Sequence, residues 1–264
     1  MKINKTFNII SKYKNDPIIQ YINEMMTKNE YKLDKKNPSY VFILGGDGTF
    51  VSTIKKFYSK DVWIIPINTG NVGFYSFFNK NRLPKLKDIQ DKSNYINPDV
   101  IKAKINKKEA YAINEIAING VNTITCSINI NGHFYEQFKG SGLIISTKTG
   151  STGYCKSANG SIIFPNVDAF EIVELFPTLH AKKTTINSPI ILNTKNTKVK
   201  INNFKSNNPI SFVSDGQCIA TLKEASLDLS IIKPKGFKLF FPIRNNSQCN
   251  GDYIEKLQKT FIKG

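Results

Sequence analysis

The stretch YVFILGGDGTFVSTI (residues 40–54) decides the fold of this chain. Its first five residues are apolar, as expected of a strand that is buried on both faces of a parallel sheet. A glycine-rich loop follows at residues 45–49, and from Thr49 to Tyr58 the apolar residues recur at helical spacing. A buried strand that runs through a glycine loop into a helix predicts an α/β domain.

The sequence around this stretch continues the alternation of strands and helices. Residues 3–10 predict a first strand, and DPIIQYINEMMTKN (residues 16–29) predicts a helix that is capped by Asp16 and has Pro17 at its first position. Residues 62–67 predict another buried strand. Strand, helix and strand at this spacing indicate a parallel sheet within an α/β domain over residues 1–97.

A different pattern begins near residue 98. The segments DVIKAKIN (99–106), SINING (127–132) and SLDLSI (226–231) alternate apolar and polar residues, and Asn131-Gly132 predicts a tight hairpin turn. We therefore predict an antiparallel, β-rich and β-sandwich-like domain over residues 98–243. The apolar residues of DYIEKLQKTFIK (252–263) return to helical spacing, so residues 244–264 are predicted to form a helical tail.

The composition limits the classes of partner. The chain has 264 residues and a formal net charge of +17, yet all but two of its 37 basic residues are lysines. Proteins that read guanine and phosphate favour arginine, so this charge does not predict a nucleic-acid partner, although it would attract polyanionic substrates. No apolar run reaches the roughly 20 residues of a membrane helix, and no signal peptide is evident. We expect a cytoplasmic protein without a membrane partner. Its four cysteines and two histidines form no metal-binding motif.

The glycine loop places a single carboxylate, Asp47, at the carboxyl end of the predicted strand, where α/β domains bind ligands. Glycines let the backbone approach a phosphate closely, and an aspartate can accept a proton, hold a hydroxyl or position Mg²⁺. The loop matches neither the Walker A motif nor GxGxxG. The same residues would equally suit a turn in which Asp47 only caps the helix.

Further segments carry polar residues at informative places. PINTGNVGFYS (66–76) follows the second buried strand, so Asn68 and its glycines would form a cleft beside the first loop. AINEIAING (112–120) places Asn114 and Glu115 within an apolar strand, where a buried polar pair is costly unless it is hydrogen-bonded. Its partners would be either the local backbone or a bound ligand, and we favour the ligand. ISTKTGSTGYCKS (145–157) supplies hydroxyls and a tyrosine suited to sugars and phosphates. FVSDGQ (212–217) alone predicts a simple hairpin turn.

In this order and at this spacing, the motifs resemble those of the NAD kinase family from about residue 40 to the C-terminus. The GGDGT loop alone is shared with diacylglycerol-type lipid kinases, whereas the series of four motifs is specific to NAD kinases. The resemblance implies a tail that packs back on the N-terminal domain and a homotetramer or dimer. It also implies transfer of the γ-phosphoryl group of ATP, or of polyphosphate, to the 2′-hydroxyl of the adenosine ribose of NAD, with Mg²⁺ or another divalent cation.

The resemblance also assigns roles by position. Asp47 would orient or deprotonate the 2′-hydroxyl, and the phosphate path would be lined by Gly45, Gly46, Gly48 and Thr49. The residues that would bind NAD are Asn68, Asn114, Glu115, Ser141, Thr149, Thr152, Gly153, Tyr154, Ser157 and Asp215.

Three positions depart from the usual family pattern. Ser141 stands where the family has an aspartate that is expected to hold the nicotinamide ribose, which puts the grip on that end of NAD in question. Asn71 replaces a usual histidine or arginine, and Gly153 a usual alanine. Two other readings use the same residues: a lipid kinase that also relies on Asp47, and a regulator that binds NADP with little activity, which Ser141 would suit.

Overall fold

A computed structural model describes residues 4–179, 185–242 and 246–262 of the chain. The contacts divide this part of the chain into two compact units. The first comprises the residues up to Pro98 together with those from Pro234 onward, and the second runs from Asp99 to Lys233. In sequence, the second unit is therefore a continuous segment inserted between the two parts of the first.

The chain up to Pro98 alternates strands and helices, as predicted. Its elements are β1 (Thr6–Ser11), α1 (Pro17–Lys28), β2 (Lys32–Leu33), β3 (Tyr40–Gly45), α2 (Asp47–Ile54), β4 (Val62–Asn68), β5 (Phe78–Asn79), α3 (Leu86–Gln90) and β6 (Tyr95–Ile96).

Helix α1 begins as the sequence predicts. The carboxylate of Asp16 accepts a hydrogen bond of 3.0 Å from Ile18 N, and Pro17 occupies the first helical position, where its missing N–H costs nothing. Ile18, Ile22 and Met26 are buried at helical spacing. Burying each of these side chains contributes about 1.5–3 kcal/mol, so the apolar face of α1 holds it in place.

Helix α2 begins at Asp47, two residues before the predicted start, and a short 3₁₀ turn (Lys55–Phe57) follows its end. Gly46 O accepts the first hydrogen bond of the helix, from Phe50 N at 3.1 Å. Glycines weigh against a helix, which is why the sequence suggested a later start. The structure nonetheless places the Asp47 carboxylate in the first turn, where a helix favours negative charge.

The segment between Asp99 and Lys233 is almost entirely β-structure. Its elements are β7 (Val100–Ile105), β8 (Lys108–Ala112), β9 (Glu115–Ile130), β10 (His133–Thr147), α4 (Tyr154–Ser157), β11 (Ala169–Leu175), β12 (Ile190–Asn193), β13 (Lys198–Lys205), β14 (Ile210–Ser214), β15 (Gln217–Leu222) and β16 (Leu227–Ile232). The chain then adds β17 (Phe237–Phe240) and helix α5 (Asn246–Phe261) to the first unit.

The sheet of the first unit has the order β2-β1-β3-β4-β17-β6, and β5 also pairs with β4. Every pair is parallel except β17 with β6. This confirms the predicted α/β domain with a parallel sheet. The central strands β3 and β4 run side by side, with Gly45 of β3 opposite Asn68 of β4, so the two loops that follow them leave the same edge of the sheet.

The sheet of the second unit is antiparallel, as predicted, and is built around the long hairpin of β9 and β10. Asn131 and Gly132 form its turn with φ of 52° and 84°, the left-handed conformations that a two-residue hairpin turn requires. The first half of β9 also pairs with β14 and its second half with β13. Strand β9 thus connects the strands into one branched sheet, and a single hydrophobic cluster includes residues from both branches.

The division into units differs from the boundary predicted at residue 243. The chain re-enters the first unit at Pro234, because Phe237, Lys238 and Leu239 pair with Val62, Trp63 and Ile64 of β4. Four residues are too few for the sequence pattern to separate β17 from the strands before it. Helix α5 starts at Asn246, earlier than the apolar spacing from residue 252 suggested. In the described part of the chain, no helix is long and apolar enough to cross a membrane.

Candidate active site

The glycine loop between β3 and α2 combines one tight contact with open space. A Cβ atom on Gly45 would lie 2.6 Å from Cβ of Thr49, so a side chain at Gly45 would displace the start of α2. A Cβ on Gly46 or Gly48 would meet nothing within 4 Å. The backbone of the loop is therefore accessible beside Asp47, as a loop that receives phosphates requires.

Backbone amides of the neighbouring loop hold the Asp47 carboxylate. Its Oδ2 accepts a hydrogen bond from Phe74 N at 2.9 Å, and its Oδ1 accepts one from Tyr75 N at 3.3 Å. The side chain is partly buried, and burial raises the pKa of Asp47, whereas the two amides and the charge of Lys256 act in the opposite direction. Each carboxylate oxygen keeps a further lone pair for a hydroxyl or a proton.

Asn68, predicted to bind NAD, shapes the second loop. Its Oδ1 accepts a hydrogen bond of 3.0 Å from Gly70 N, which closes a turn immediately after β4. A Cβ on Gly73 would lie 3.0 Å from Cγ of Asn68, so the loop packs closely on this side chain. The Asn68 side chain thus sets the path that brings Phe74 and Tyr75 to Asp47.

The sequence reasoning missed three contributors to this site, namely the amides of Phe74 and Tyr75 and the side chain of Lys256. Backbone amides carry no residue signature, and the spacing of α5 drew attention to its apolar face alone. Lys256 Nζ donates a hydrogen bond of 2.8 Å to Ser76 O. It also lines a cavity of about 200 Å³ beside Gly73 and Phe74 in the first unit.

In the second unit, Asp215 holds the backbone that carries Asn114 and Glu115. Its carboxylate accepts hydrogen bonds from the N–H groups of Ile113, Asn114 and Glu115 at 3.0, 2.9 and 3.1 Å. Asp215 N in turn donates to Glu115 O at 3.0 Å. The Asp215-Gly216 turn between β14 and β15 therefore positions the Asn114-Glu115 pair as well as forming the hairpin turn that the sequence predicted.

The hydroxyl-rich segment after β10 packs against the same backbone. Thr147 Oγ1 and Thr149 Oγ1 both donate to Ile113 O, and Gly150 N donates to Thr147 Oγ1 at 3.2 Å. A Cβ on Gly150 would lie 2.3 Å from Asn114 O, so the two segments touch at this glycine. Thr149, predicted to bind NAD, makes a contact within the protein that fixes the segment.

The segment between Gly150 and Ile163 is also held by hydrogen bonds to Glu171 of β11. The Cys155 thiol donates to Oε1 of the fully buried Glu171 at 3.2 Å, and Ser161 N donates to Oε2 at 2.8 Å. Burial raises the pKa of Cys155, so this thiol stays protonated and serves as a donor. Hydrogen bonds to Glu171 therefore hold this segment in place.

Several of the residues predicted to bind NAD are exposed and accessible to a ligand. Gly153 and Ser157 are exposed, Thr152 is partly buried, and the ring of Tyr154 is 45% exposed. Glu115 is 8% exposed, and one of its carboxylate oxygens lies 3.9 Å from where a Cβ on Gly153 would stand. Asn114, Glu115 and the 149–154 segment therefore form one polar cluster in the second unit.

Ser141 lies on β10, five residues before Ser146, with its side chain exposed. The strand has an irregular register between Gly140 and Gly142, and a Cβ on Gly142 would lie 2.1 Å from Ile118 O. The flanking glycines are thus required by packing, and they turn the Ser141 side chain outward.

Two family models match the chain. One is described as ATP-NAD kinase N-terminal domain and matches residues 5–90, and the other is described as ATP-NAD kinase C-terminal domain and matches residues 113–233. The NAD kinase of Mycoplasmoides gallisepticum is 36% identical, over 99% of this chain and 96% of that protein. The NAD kinase of Ureaplasma parvum is 35% identical, over 90% of this chain and 86% of that protein.

Solved structures with the same fold include an NAD kinase from Archaeoglobus fulgidus in complex with ATP and a yeast NADH kinase complexed with NADH. The first has a TM-score of 0.76 at 19% identity and covers 96% of this chain and 99% of its own. The second has a TM-score of 0.78 at 18% identity and covers 98% of this chain and 88% of its own.

The first unit carries a carboxylate in an accessible glycine loop and the second carries a polar cluster, which are features expected of a kinase that phosphorylates a hydroxyl group. The family matches and the similarity to whole relatives then make the assignment specific. The chain belongs to the NAD kinase family, which confirms the resemblance carried by its four motifs.

Proposed function

We propose that this protein transfers the γ-phosphoryl group of ATP to the 2′-hydroxyl of the adenosine ribose of NAD and so forms NADP. The observation that carries the proposal is the Asp47 carboxylate, held by two backbone amides in a loop whose flanking glycines face open space. Membership of the NAD kinase family supplies the substrate and the donor.

Asp47 acts on the ribose hydroxyl. The amides of Phe74 and Tyr75 fix its orientation and leave a lone pair on each oxygen to receive the 2′-hydroxyl proton. Phosphoryl transfer passes through a loose transition state, so alignment and neutralisation of charge contribute most of the catalysis. The accessible backbone at Gly46 and Gly48 suits the phosphates of the donor.

The polar cluster of the second unit holds the dinucleotide. Asn114 and Glu115 contact the ribose and pyrophosphate side, and Thr152, Tyr154 and Ser157 contact adenine and ribose. Their positions support this, because Tyr154 and Ser157 are exposed on a segment that Glu171 holds through hydrogen bonds to Cys155 and Ser161, whereas Asp215 holds the backbone of Asn114 and Glu115. Asp215 and Thr149 act by positioning this cluster.

A divalent cation such as Mg²⁺ would bind the triphosphate oxygens of ATP, which are ligands that this ion prefers, and would neutralise charge on the transferred phosphoryl group. Among the residues that the structure describes, no three side chains of histidine, cysteine, aspartate or glutamate cluster to hold a metal. The protein acts in the cytoplasm, as a homotetramer or a dimer.

The test is an assay for NADP formed from NAD, ATP and Mg²⁺. Asp47→Asn keeps the size of the side chain but cannot accept the hydroxyl proton, and we expect its turnover to fall by about 10²–10⁴-fold. Asp34→Asn is the matched control, because Asp34 also accepts two backbone amides, from Lys36 and Asn37, in an exposed turn of the same unit.

Three results would contradict the proposal. Near-full turnover of Asp47→Asn would remove the role of Asp47. Phosphorylation of lipid vesicles with no NADP formed would indicate a lipid kinase. Binding of NADP by the folded wild type without turnover of NAD, with polyphosphate also tried as donor, would indicate a regulator.

A further inference from the structure

Helix α5 packs against the segment Phe74-Tyr75-Ser76. The Phe74 ring contacts the ring of Tyr253 edge to face, with centroids 6.0 Å apart, and stacks on Phe261 at 6.0 Å and 19°. Lys256, between these two aromatic residues in the helix, donates its hydrogen bond of 2.8 Å to Ser76 O. Three side chains of α5 thus contact Phe74 and Ser76, the two loop residues that flank Tyr75.

The same short segment holds the Asp47 carboxylate. Phe74 N and Tyr75 N donate hydrogen bonds to it at 2.9 and 3.3 Å, and the Tyr75 ring packs on the ring of Phe50 in α2, with centroids 4.4 Å apart. A displacement of residues 74–76 would therefore move both donors. Because misplacement of a reacting group by about 1 Å costs roughly 100-fold in rate, the contact between α5 and this segment bears on catalysis.

Lys256 also acts on Asp47 through its charge. Burial raises the pKa of Asp47, the amides of Phe74 and Tyr75 lower it, and Lys256 is the charged side chain that lowers it further. Lys259 lies one turn along α5 and lines the same cavity, but its Nζ pairs with Glu255 at 2.6 Å in an exposed ion pair. Lys256 and Lys259 thus share the same helix, side-chain length and charge but contact different groups, which makes Lys259 a matched control.

We propose that Lys256 is a positioning residue for Asp47, because its hydrogen bond to Ser76 O fixes the Phe74-Ser76 segment and with it the two amides that hold the carboxylate. This inference rests on the proposed function, because its effect is on NADP formation. Under this proposal, helix α5 contributes to the active site of the first unit by positioning Asp47.

The test compares Lys256→Met, Lys256→Arg and Lys256→Gln with the control Lys259→Met, in steady-state assays of NADP formation across pH. For Lys256→Met we expect kcat to fall by about 10- to 100-fold, with KM for NAD within about twofold of wild type, because Asp47 acts in the transition state. The acid limb of its kcat profile should move to higher pH, since the charge that lowers the pKa of Asp47 is gone.

The other variants separate the hydrogen bond from the charge. Lys256→Arg keeps both a donor and the charge, so it should recover kcat to within about threefold and restore the acid limb. Lys256→Gln keeps a donor without the charge, so its acid limb should move with a smaller loss of kcat than in Lys256→Met. Lys259→Met should match wild type in kcat and in the position of the acid limb. Thermal melting would establish that each variant is folded.

An acid limb that stays in place in folded Lys256→Met and Lys256→Gln would overturn the inference, as would equal losses of kcat in Lys256→Met and Lys259→Met. Both results presuppose that the wild type forms NADP. A folded wild type that forms none would instead refute the proposed function, so the two failures are distinguishable.

Discussion

Replacement of Asp215 by alanine should loosen the backbone that carries Asn114 and Glu115. Three amide N–H groups point at this one carboxylate from 2.9 to 3.1 Å. Alanine removes all three acceptor contacts at once, and it must also adopt the φ of 44° that Asp215 has in its turn. Asparagine tolerates that conformation and keeps one acceptor oxygen, so Asp215→Asn is the milder change.

The magnitude follows from these contacts. A hydrogen bond to a charged group contributes about 1.5–3 kcal/mol. The three hydrogen bonds share one carboxylate, however, and replacing Asp215 by alanine also removes the cost of desolvating that carboxylate, so the net loss is smaller than their sum. We therefore expect Asp215→Ala to lower the free energy of unfolding by about 3–5 kcal/mol, of which about 1 kcal/mol is backbone strain. For Asp215→Asn we expect a loss of about 1–2 kcal/mol, because one acceptor remains.

Urea unfolding gives the stability change, and the NADP assay gives the functional one. KM for NAD should rise in both variants by at least about tenfold, since the loss falls on groups that bind the dinucleotide. Asn196→Ala controls for strain, because Asn196 is exposed and has a φ of 61°. An Asp215→Ala variant no less stable than Asn196→Ala, with an unchanged KM, would refute the reasoning.

Two further predictions concern other sites in the second unit. Burial, together with the neighbouring Glu136, raises the pKa of Glu174 from 4.5 to about 7. The folded state therefore holds a proton that the unfolded chain releases, so this contribution to stability is present below about pH 4.5 and is lost as pH rises through 7. Relative to wild type, the free energy of unfolding of Glu174→Gln should therefore rise by up to about 3 kcal/mol from pH 5 to pH 8. Urea unfolding at both pH values measures this change, and the same difference between variant and wild type at both would contradict the prediction. Gly150→Ala should raise KM for NAD by about tenfold or more, because its Cβ would lie 2.3 Å from Asn114 O. Gly251→Ala is the control and should leave KM unchanged, because its Cβ would meet nothing within 4 Å. Equal KM values for the two variants would contradict the close contact at Gly150.

The sequence predicted those features that leave a local pattern. The continuous apolar runs of β3 and β4 identified the parallel sheet, Asp16-Pro17 identified the start of α1, and Asn131-Gly132 identified the central hairpin. The glycine loop drew attention to Asp47 because it places a lone carboxylate at the carboxyl end of a strand, where α/β domains bind ligands. In each of these cases the physical cause acts within a few residues.

What the sequence missed depends on contacts between distant segments. The donors to Asp47 are main-chain amides of Phe74 and Tyr75, and any residue type except proline would supply them. Lys256 is one of many lysines, and nothing near it in the sequence indicates that it reaches Ser76. Likewise, Asp215 reads as a turn residue until its three partners are seen about 100 positions away.

The return of β17 to the first sheet has a consequence for the order in which the chain can fold during synthesis. Strand β4 leaves the ribosome early, yet its partner Phe237–Phe240 is made only after the whole second unit. Until then the Val62–Ile64 part of β4 lacks its partner on that side, and such an uncovered strand edge is a template for pairing with other chains. The second unit, being continuous, can complete its own sheet first. The nascent protein therefore matures from its middle outward, and its beginning is finished last.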